Sequence, residues 1–439
     1  PWLAGHRIVM LEPRRLAARM AADHMARGLG EKVGQTVGYR VRLDSRVSPA
    51  TRVEIVTEGV LVRRLQSDPA LTDVGLVIFD EFHERNLESD LALALCRDVQ
   101  KGLRADLKLL VMSATLDGGS VAALLGGAPI VRSEGRIFPV VRRHVPRRAE
   151  MPLAADIAAL IRRALAEERE GGVLAFAPGE GEIRRIGELL ADGGLPPDVT
   201  LHPLYGALDA ARQDAAVAPA PPGKRKVVIA TTIAETSLTI ADIRIVVDGG
   251  YKRAPRFDAA SAMTRLATVR LSRAAADQRC GRAGRLAPGI CYRLWAAEED
   301  RGLAPADRPD ILEADLAGLA LDLALWGTPD PAALDWLDPP PGGAYAQAQK
   351  LLMQLGAVDR HGHITADGRA MARLPLHPRL AHMLVRADAR AAPTACAIAA
   401  LLSERDPLGP AMGADLRKRL EALAHGGRRL ARIVAGAGQ

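Results

Sequence analysis

Rings are scarce in this chain. Aromatic residues make up 3% of 439 positions, with five Phe, five Tyr and four Trp. A nucleic-acid binder with so few rings must grip its ligand's backbone more than stack on its bases. Cysteine is as sparse: Cys96, Cys280, Cys291 and Cys396 stand far apart, with no CxxC pair. That excludes a disulfide scaffold and a cysteine-rich zinc site, and fits a reducing cytosol. No apolar run approaches the ~20 residues of a membrane span, and no signal-peptide pattern opens the chain. A cytoplasmic location without a membrane partner is therefore expected. Also missing is any G-x-x-x-x-G-K-[ST] phosphate loop; the sole Gly-Lys pair, Gly223-Lys224, is followed by Arg225.

What is present is ordinary globular composition, 48% hydrophobic and 25% charged, which rules out a mostly disordered chain. The length suits roughly three domains. Lys and Arg number 59 against 52 Asp and Glu, a net charge of +7 that admits a polyanionic partner without requiring one.

The opening part alternates β-branched runs with helical stretches, the pattern of a parallel sheet with crossover helices. Candidate strands are His6–Leu11, Val53–Thr57, Gly75–Asp80 and Leu107–Met112, each nearly continuous in apolar residues, as a strand covered on both faces should be. Polar clusters follow them: Glu12-Pro13-Arg14-Arg15, Thr57-Glu58-Gly59, Asp80-Glu81-Phe82-His83 and Ser113-Ala114-Thr115. In open α/β sheets the ligand sits beyond the carboxyl ends of the strands, which places these clusters on one face. A second alternating block has strands at Val173–Phe176, Lys226–Ala230, Ile243–Val247 and Gly289–Leu294. The basic stretch Arg142–Arg148 between the blocks reads as a linker, and from about residue 301 Ala/Leu-rich helices dominate.

Two constellations carry chemistry. Asp80 and Glu81 are adjacent carboxylates at a strand end, with His83 two residues on. In a nucleotide site the first can hold Mg²⁺ through water, and the second can orient and deprotonate an attacking water. For an isolated Asp-Glu pair the ordinary reading is a solvated strand-end turn; the further phosphate-type clusters weigh against it here. Gln278-Arg279-Cys280-Gly281-Arg282-Ala283-Gly284-Arg285 is the second. Arg282 and Arg285 are three apart and point the same way on a helix, as a pair of arginine fingers would. A basic solvated helix is the alternative, but glycines at this spacing weaken a helix for no structural return.

With these motifs in order, the chain resembles the DEAH-box RNA helicases of superfamily two, of the bacterial kind. The resemblance runs over essentially the whole chain. It takes in the clusters at 12–15, 57–59, 80–83 and 113–115, then Phe176–Gly179 with Glu182-Ile183, Ala230–Ile240 and Gln278–Arg285. It implies two tandem RecA-like parallel-sheet domains, the first incomplete, then a winged-helix domain and part of a helical ratchet-like region. The implied boundaries are 1–140, 141–300, 301–370 and 371–439. The implied activity is ATP-dependent (or other NTP-dependent) translocation on single-stranded or partly duplex RNA, 3′ to 5′, with Mg²⁺.

The resemblance also assigns roles. Asp80 binds Mg²⁺, Glu81 activates water, and His83 links the box to its neighbours. Gln278, Arg282 and Arg285 reach the γ-phosphate from the second domain. Ser113 and Thr115 couple nucleotide state to domain movement. Arg14, Arg15, Thr57, Gly59, Thr232 and Thr236 contact the RNA backbone; helix capping is a further use for Thr57 and Thr232. Tyr251–Phe257 and Met263–Arg270 suggest a hairpin, which in the family protrudes toward the duplex; charge for solubility is the alternative. The histidines His361, His363, His377 and His382 lack a partner at metal spacing and read as surface residues.

The family's phosphate loop is expected upstream of Pro1, which makes this sequence an N-terminal truncation that on its own is ATPase-deficient. Two alternatives stay open on the residues: a catalytically inert nucleic-acid-binding protein, and the same motor acting on DNA.

Overall fold

The protein was analysed as a computed structural model describing residues 3, 5–114, 118–133, 138–148, 150–236, 239–258, 261, 263–403, 406, 408 and 413–425. Its contacts separate it into two units. The first holds Pro1–Leu61, Thr72–Ser89 and Asp106–Glu313; the second holds Val62–Leu71, Asp90–Ala105 and Ala314–Gln439.

The first unit carries two six-stranded sheets and one two-stranded sheet. Strands β1 (Arg7–Leu11), β2 (Val37–Val41), β3 (Asp44–Arg46), β4 (Val53–Val56), β5 (Val74–Phe79) and β6 (Lys108–Val111) form one, in the order β3-β2-β4-β1-β5-β6. All its pairings are parallel except β2 with β3. Apolar β-branched runs give the central strands, and helix α1 (Arg15–Gly28) crosses over between β1 and β2. Its buried face is Leu16, Ala17, Ala18, Ala22 and Ala26, spaced at helical intervals and small enough to bring the backbone close to Val37, Tyr39 and Ile55. Helix α2 (Glu58–Ser67) follows β4, α3 (Leu87–Gly102) follows the turn after β5 and α4 (Gly118–Leu124) follows β6; α5 (Leu153–Glu167), α6 (Glu180–Asp192), α7 (Ala210–Val217) and α8 (Arg273–Gly281) come later in the chain. Strand β6 is at the sheet's edge and alternates exposed with half-buried residues, Leu110 being 44% exposed. The expectation of burial on both faces does not hold there: one face of this strand is exposed and the other half-buried.

The second sheet is parallel throughout. Its strands are β7 (Val140–His144), β8 (Gly172–Phe176), β9 (Val199–Leu204), β10 (Arg225–Ala230), β11 (Ile243–Asp248) and β14 (Gly289–Arg293), ordered β7-β14-β11-β8-β10-β9. Strand β7 lies on what the sequence presented as a basic linker. Arginines are at home on an edge strand, which is why composition hid it. Strand β9 contains Pro203, tolerated because β10 is its one neighbour. Strands β12 (Tyr251–Asp258) and β13 (Met263–Arg270) form the expected antiparallel hairpin, with Met263 and Leu266 about two-thirds exposed at 67% and 65%. At the start of β14 a Cβ on Gly289 would stand 2.3 Å from the Ala283 carbonyl, so only glycine lets this strand pass the arginine-rich motif.

The second unit is helical. Helix α9 (Ala317–Trp326) is apolar on most sides and ends at Gly327, whose φ of 91° closes it with a left-handed cap. Asp98 and Asp322 accept from Trp326 Nε1 and Gln66 Nε2 at 2.8 and 2.7 Å, tying the ends of α3 and α2 to α9. Helices α10 (Gly342–Gln354), α11 (Ala366–Ala372) and α12 (Pro378–Arg386) follow, with the bridge Val358–Ile364 between α10 and α11. His377 does have a carboxylate partner: its Nε2 is 3.0 Å from Asp315 Oδ2, 62 residues away in sequence and so invisible to local spacing. Among the described residues no helix is long and apolar enough to cross a membrane.

Candidate active site and nucleic-acid interface

Because the strands are parallel, the carboxyl ends of β1, β4, β5 and β6 open on one side of the first sheet. The turn after β5 is clamped from both flanks. Asp80 N–H donates to Leu11 O at 3.1 Å, and Phe82 N–H donates to Met112 O at 3.1 Å. The Phe82 ring is 1% exposed and meets Phe79 edge-on with centroids 6.1 Å apart. Phe82 thus anchors the turn in the core, a role a smaller residue fills less well. Between these anchors Glu81 adopts φ 49°, ψ 32°, a left-handed conformation unusual for a non-glycine residue. Such strain, on the order of 1 kcal/mol or more, persists where surrounding structure enforces it, and often at functional sites.

Asp80 Oδ1 accepts from Glu81 N–H at 2.8 Å, which fixes the carboxylate at the strand's end. Among the described residues no group of three or more His, Cys, Asp or Glu gathers as a metal cage. One or two carboxylates at a phosphate site are the donor set that suits Mg²⁺, which keeps most of its water and takes phosphate oxygens. Asp80, with Glu81, would hold it, and the ion would neutralise phosphate charge.

His83 connects the two sheets. Its side chain is 5% exposed, and Nδ1 accepts from Ala114 N–H at 3.3 Å, next to Ser113 at the end of β6. A neutral ring then carries its proton on Nε2, which lies 2.7 Å from Gln278 Nε2 and 3.5 Å from Glu81 Oε2. Both are satisfied when Gln278 presents its oxygen. Thr115 lies outside the described residues.

Gln278 is on α8 (Arg273–Gly281), which Ser272 caps by accepting from Ala275 N–H. A 3₁₀ turn, Arg282–Gly284, continues it, and side chains three apart in a 3₁₀ turn eclipse. Arg282 is 6% exposed and donates through Nε to Glu235 O at 2.9 Å, while Arg285 Nη1 donates to Thr239 Oγ1 at 3.0 Å. Burial, then the like charge of Arg285, pushes the Arg282 guanidinium below its ordinary pKa, and the Glu81 carboxylate opposes this. A buried cation so placed favours an anionic ligand. Arg279, unnoticed in sequence, is fully buried. It donates to Asp248 Oδ1 at 2.8 Å and Tyr251 O at 3.3 Å, and lies 4.7 Å from the Phe176 ring centroid. The motif is therefore not a solvated basic helix.

The backbone-contact candidates fall into groups. Arg14, Arg15 and Thr232 line a cavity of about 440 Å³, together with Arg19, Arg42 and Thr231. Arg19 was legible as a helix neighbour four residues after Arg15; Arg42, on the β2–β3 turn, had no local signal. The cap belongs to Thr231, whose side chain accepts from Ile233 N–H, so Thr232 is not the capping residue. Thr57 precedes α2, and Gly59 lies in its first turn, where an added Cβ would meet open space. Thr236, 5% exposed, does not line the cavity; its hydroxyl donates to Glu84 at 2.6 Å, and Arg14 Nη2 reaches both Glu84 oxygens at 3.2 and 3.1 Å.

The Helicase conserved C-terminal domain family matches residues 156–287, and the Helicase associated domain (HA2), winged-helix, matches 348–376. The ATP-dependent RNA helicase HrpB of Escherichia coli is 52% identical over 92% of this chain and 50% of its own length. The probable ATP-dependent RNA helicase DHR2 of Saccharomyces cerevisiae is 35% identical over 87% of this chain and 53% of its own. The crystal structure of the E. coli DEAH/RHA helicase HrpB superposes with a TM-score of 0.87 at 48% identity, covering 99% of this chain and 57% of that one. Over nearly all of its length the chain is similar to DEAH-box helicases. It spans about half the length of these relatives. The D-E-A-H box is here Asp80-Glu81-Phe82-His83, with the buried Phe82 at the alanine position. The helicase C-terminal RecA-like fold, the winged helix and the helical region agree with the expected architecture.

Proposed function

We propose that this DEAH-box chain is the motor portion of an ATP-dependent RNA helicase that couples nucleotide hydrolysis to 3′-to-5′ movement on single-stranded or partly duplex RNA. The observation that carries this is the meeting of His83 and Gln278, 2.7 Å apart, which joins the hydrolysis turn of one sheet to the arginine-bearing helix of the other. In this reading Asp80 holds Mg²⁺ and Glu81, in its left-handed turn, takes the proton of the attacking water. Arg282 and Arg285 leave Glu235 O and Thr239 Oγ1 for the γ-phosphate. Ser113, beside the His83 contact, and Thr115 report nucleotide state. Arg14, Arg15, Thr57, Gly59, Thr232 and Thr236 hold RNA phosphates, with Arg19 and Arg42 added from the cavity. The four-part division at 140, 300 and 370 is part of the same proposal.

The 439 residues contain no G-x-x-x-x-G-K-[ST] loop, so by themselves they should hydrolyse ATP poorly. Robust RNA-stimulated turnover by this chain alone would overturn that. In the ATP-hydrolysing protein that carries it, Glu81→Gln should lower turnover at least about a hundred-fold with ATP still bound. Turnover close to wild type would remove Glu81 as the base. Comparing stimulation by single-stranded RNA and DNA tests the track.

A further inference from the structure

Glu84 is not among the motif residues, yet it bridges the two sheets. It closes the 3₁₀ turn Phe82–Glu84, its N–H donating to Glu81 O at 2.9 Å. Its carboxylate takes Arg14, from the start of α1, and the Thr236 hydroxyl, from the segment after β10. These are two of the groups proposed above to hold RNA phosphates, and this inference rests on that reading. A carboxylate and a phosphodiester are both anionic acceptors and want the same donors.

The donor inventory decides what can be shared. Arginine has five N–H donors, and Arg14 uses Nη2 on Glu84, so it can bind a phosphate as well. Threonine has one O–H, and Thr236 donates it to Glu84 at 2.6 Å. An RNA phosphate can accept from the Thr236 hydroxyl only by displacing Glu84 as its acceptor. We propose that Glu84 is an internal phosphate mimic: it latches the hydrolysis turn to the second sheet through Thr236 in the absence of RNA, and an RNA phosphate releases it. The latch restrains the turn bearing Glu81, so its release makes hydrolysis RNA-dependent.

The test uses the ATP-hydrolysing protein, a fluorescently labelled oligouridylate for affinity, and turnover with and without it. Glu84→Ala should bind the RNA about five-fold tighter, the equivalent of one net hydrogen bond no longer competing, and should hydrolyse ATP faster without RNA. Glu84→Gln, of the same shape, should move both in the same direction by less, which guards against misfolding of the alanine variant. Both gains should vanish in a Thr236→Val background. If Glu84→Ala and Glu84→Gln bind RNA no better or more weakly, while Thr236→Val alone weakens binding, the latch is wrong and the track stands. If neither Thr236→Val nor Arg14→Ala changes RNA affinity, the track reading fails and takes the latch with it.

Discussion

Glu58 shows how a single buried side chain sets a pH dependence. It opens α2, is 6% exposed, and accepts from Asn86 Nδ2 at 3.1 Å. Burial outweighs these hydrogen bonds and pushes its carboxyl up to about 7, against an ordinary 4.5. Below 4.5 both folded and unfolded states are protonated, and the group has no effect on stability. Between 4.5 and about 7 the unfolded chain ionises while the folded one does not, so stability falls as pH rises, by at most about 3 kcal/mol. Glu58→Gln keeps the acceptor and removes the titration. Its urea midpoint should match wild type at pH 4 and exceed it at pH 8; equal midpoints at pH 8 would refute the burial argument. Arg282 offers the functional counterpart. A guanidinium 6% exposed beside the charge of Arg285 favours an anionic ligand, so on the proposed reading Arg282→Ala should cut turnover about a thousand-fold while RNA affinity stays within two-fold of wild type. Loss of RNA binding with unchanged turnover would reverse the assignment.

At the scale of elements, α8 concentrates dependence on one cap. Ser272 accepts from Ala275 N–H at 3.2 Å, and the helix carries Gln278 and Arg279. Ser272→Ala should cost about 1 kcal/mol of stability, measurable by denaturant unfolding; a cost near zero would mean water replaces the hydroxyl. The central strands were legible because at least three apolar residues stand in a row in each of β1, β5, β8, β10 and β11. Gly38 and Arg40 broke the apolar run of β2, arginines disguised β7, and Pro203 disguised β9. Sheet edges tolerate just those residues, so edges are where sequence patterns lose their grip. The site divides the same way. Asp80, Glu81, Arg282 and Arg285 announce themselves by spacing, whereas Glu84 and Arg279 matter through partners far along the chain: 70 residues separate Arg14 from Glu84, and 31 separate Asp248 from Arg279.

For the molecule as a whole, the modest net charge of +7 matters less than where arginines gather. The cavity beside α1 places Arg14, Arg15, Arg19 and Arg42 around about 440 Å³, at a helix N-terminus with no acidic residue in its first turn. The free N–H groups of that turn and the guanidiniums both favour phosphate oxygens and read no base. Base stacking would leave a salt-insensitive remainder, but with aromatics at 3% the chain has little stacking to fall back on. RNA affinity should therefore fall steeply with salt, and each lost phosphate contact should flatten that dependence. Arg19→Ala, which removes a residue outside the hydrolysis turn, should weaken binding of homopolymeric RNAs of different base alike. It should also reduce the slope of log affinity against log salt by about 0.7, the value for one contact to a single strand. A base-dependent loss would place Arg19 against a base edge, and an unchanged slope would take it out of the phosphate track.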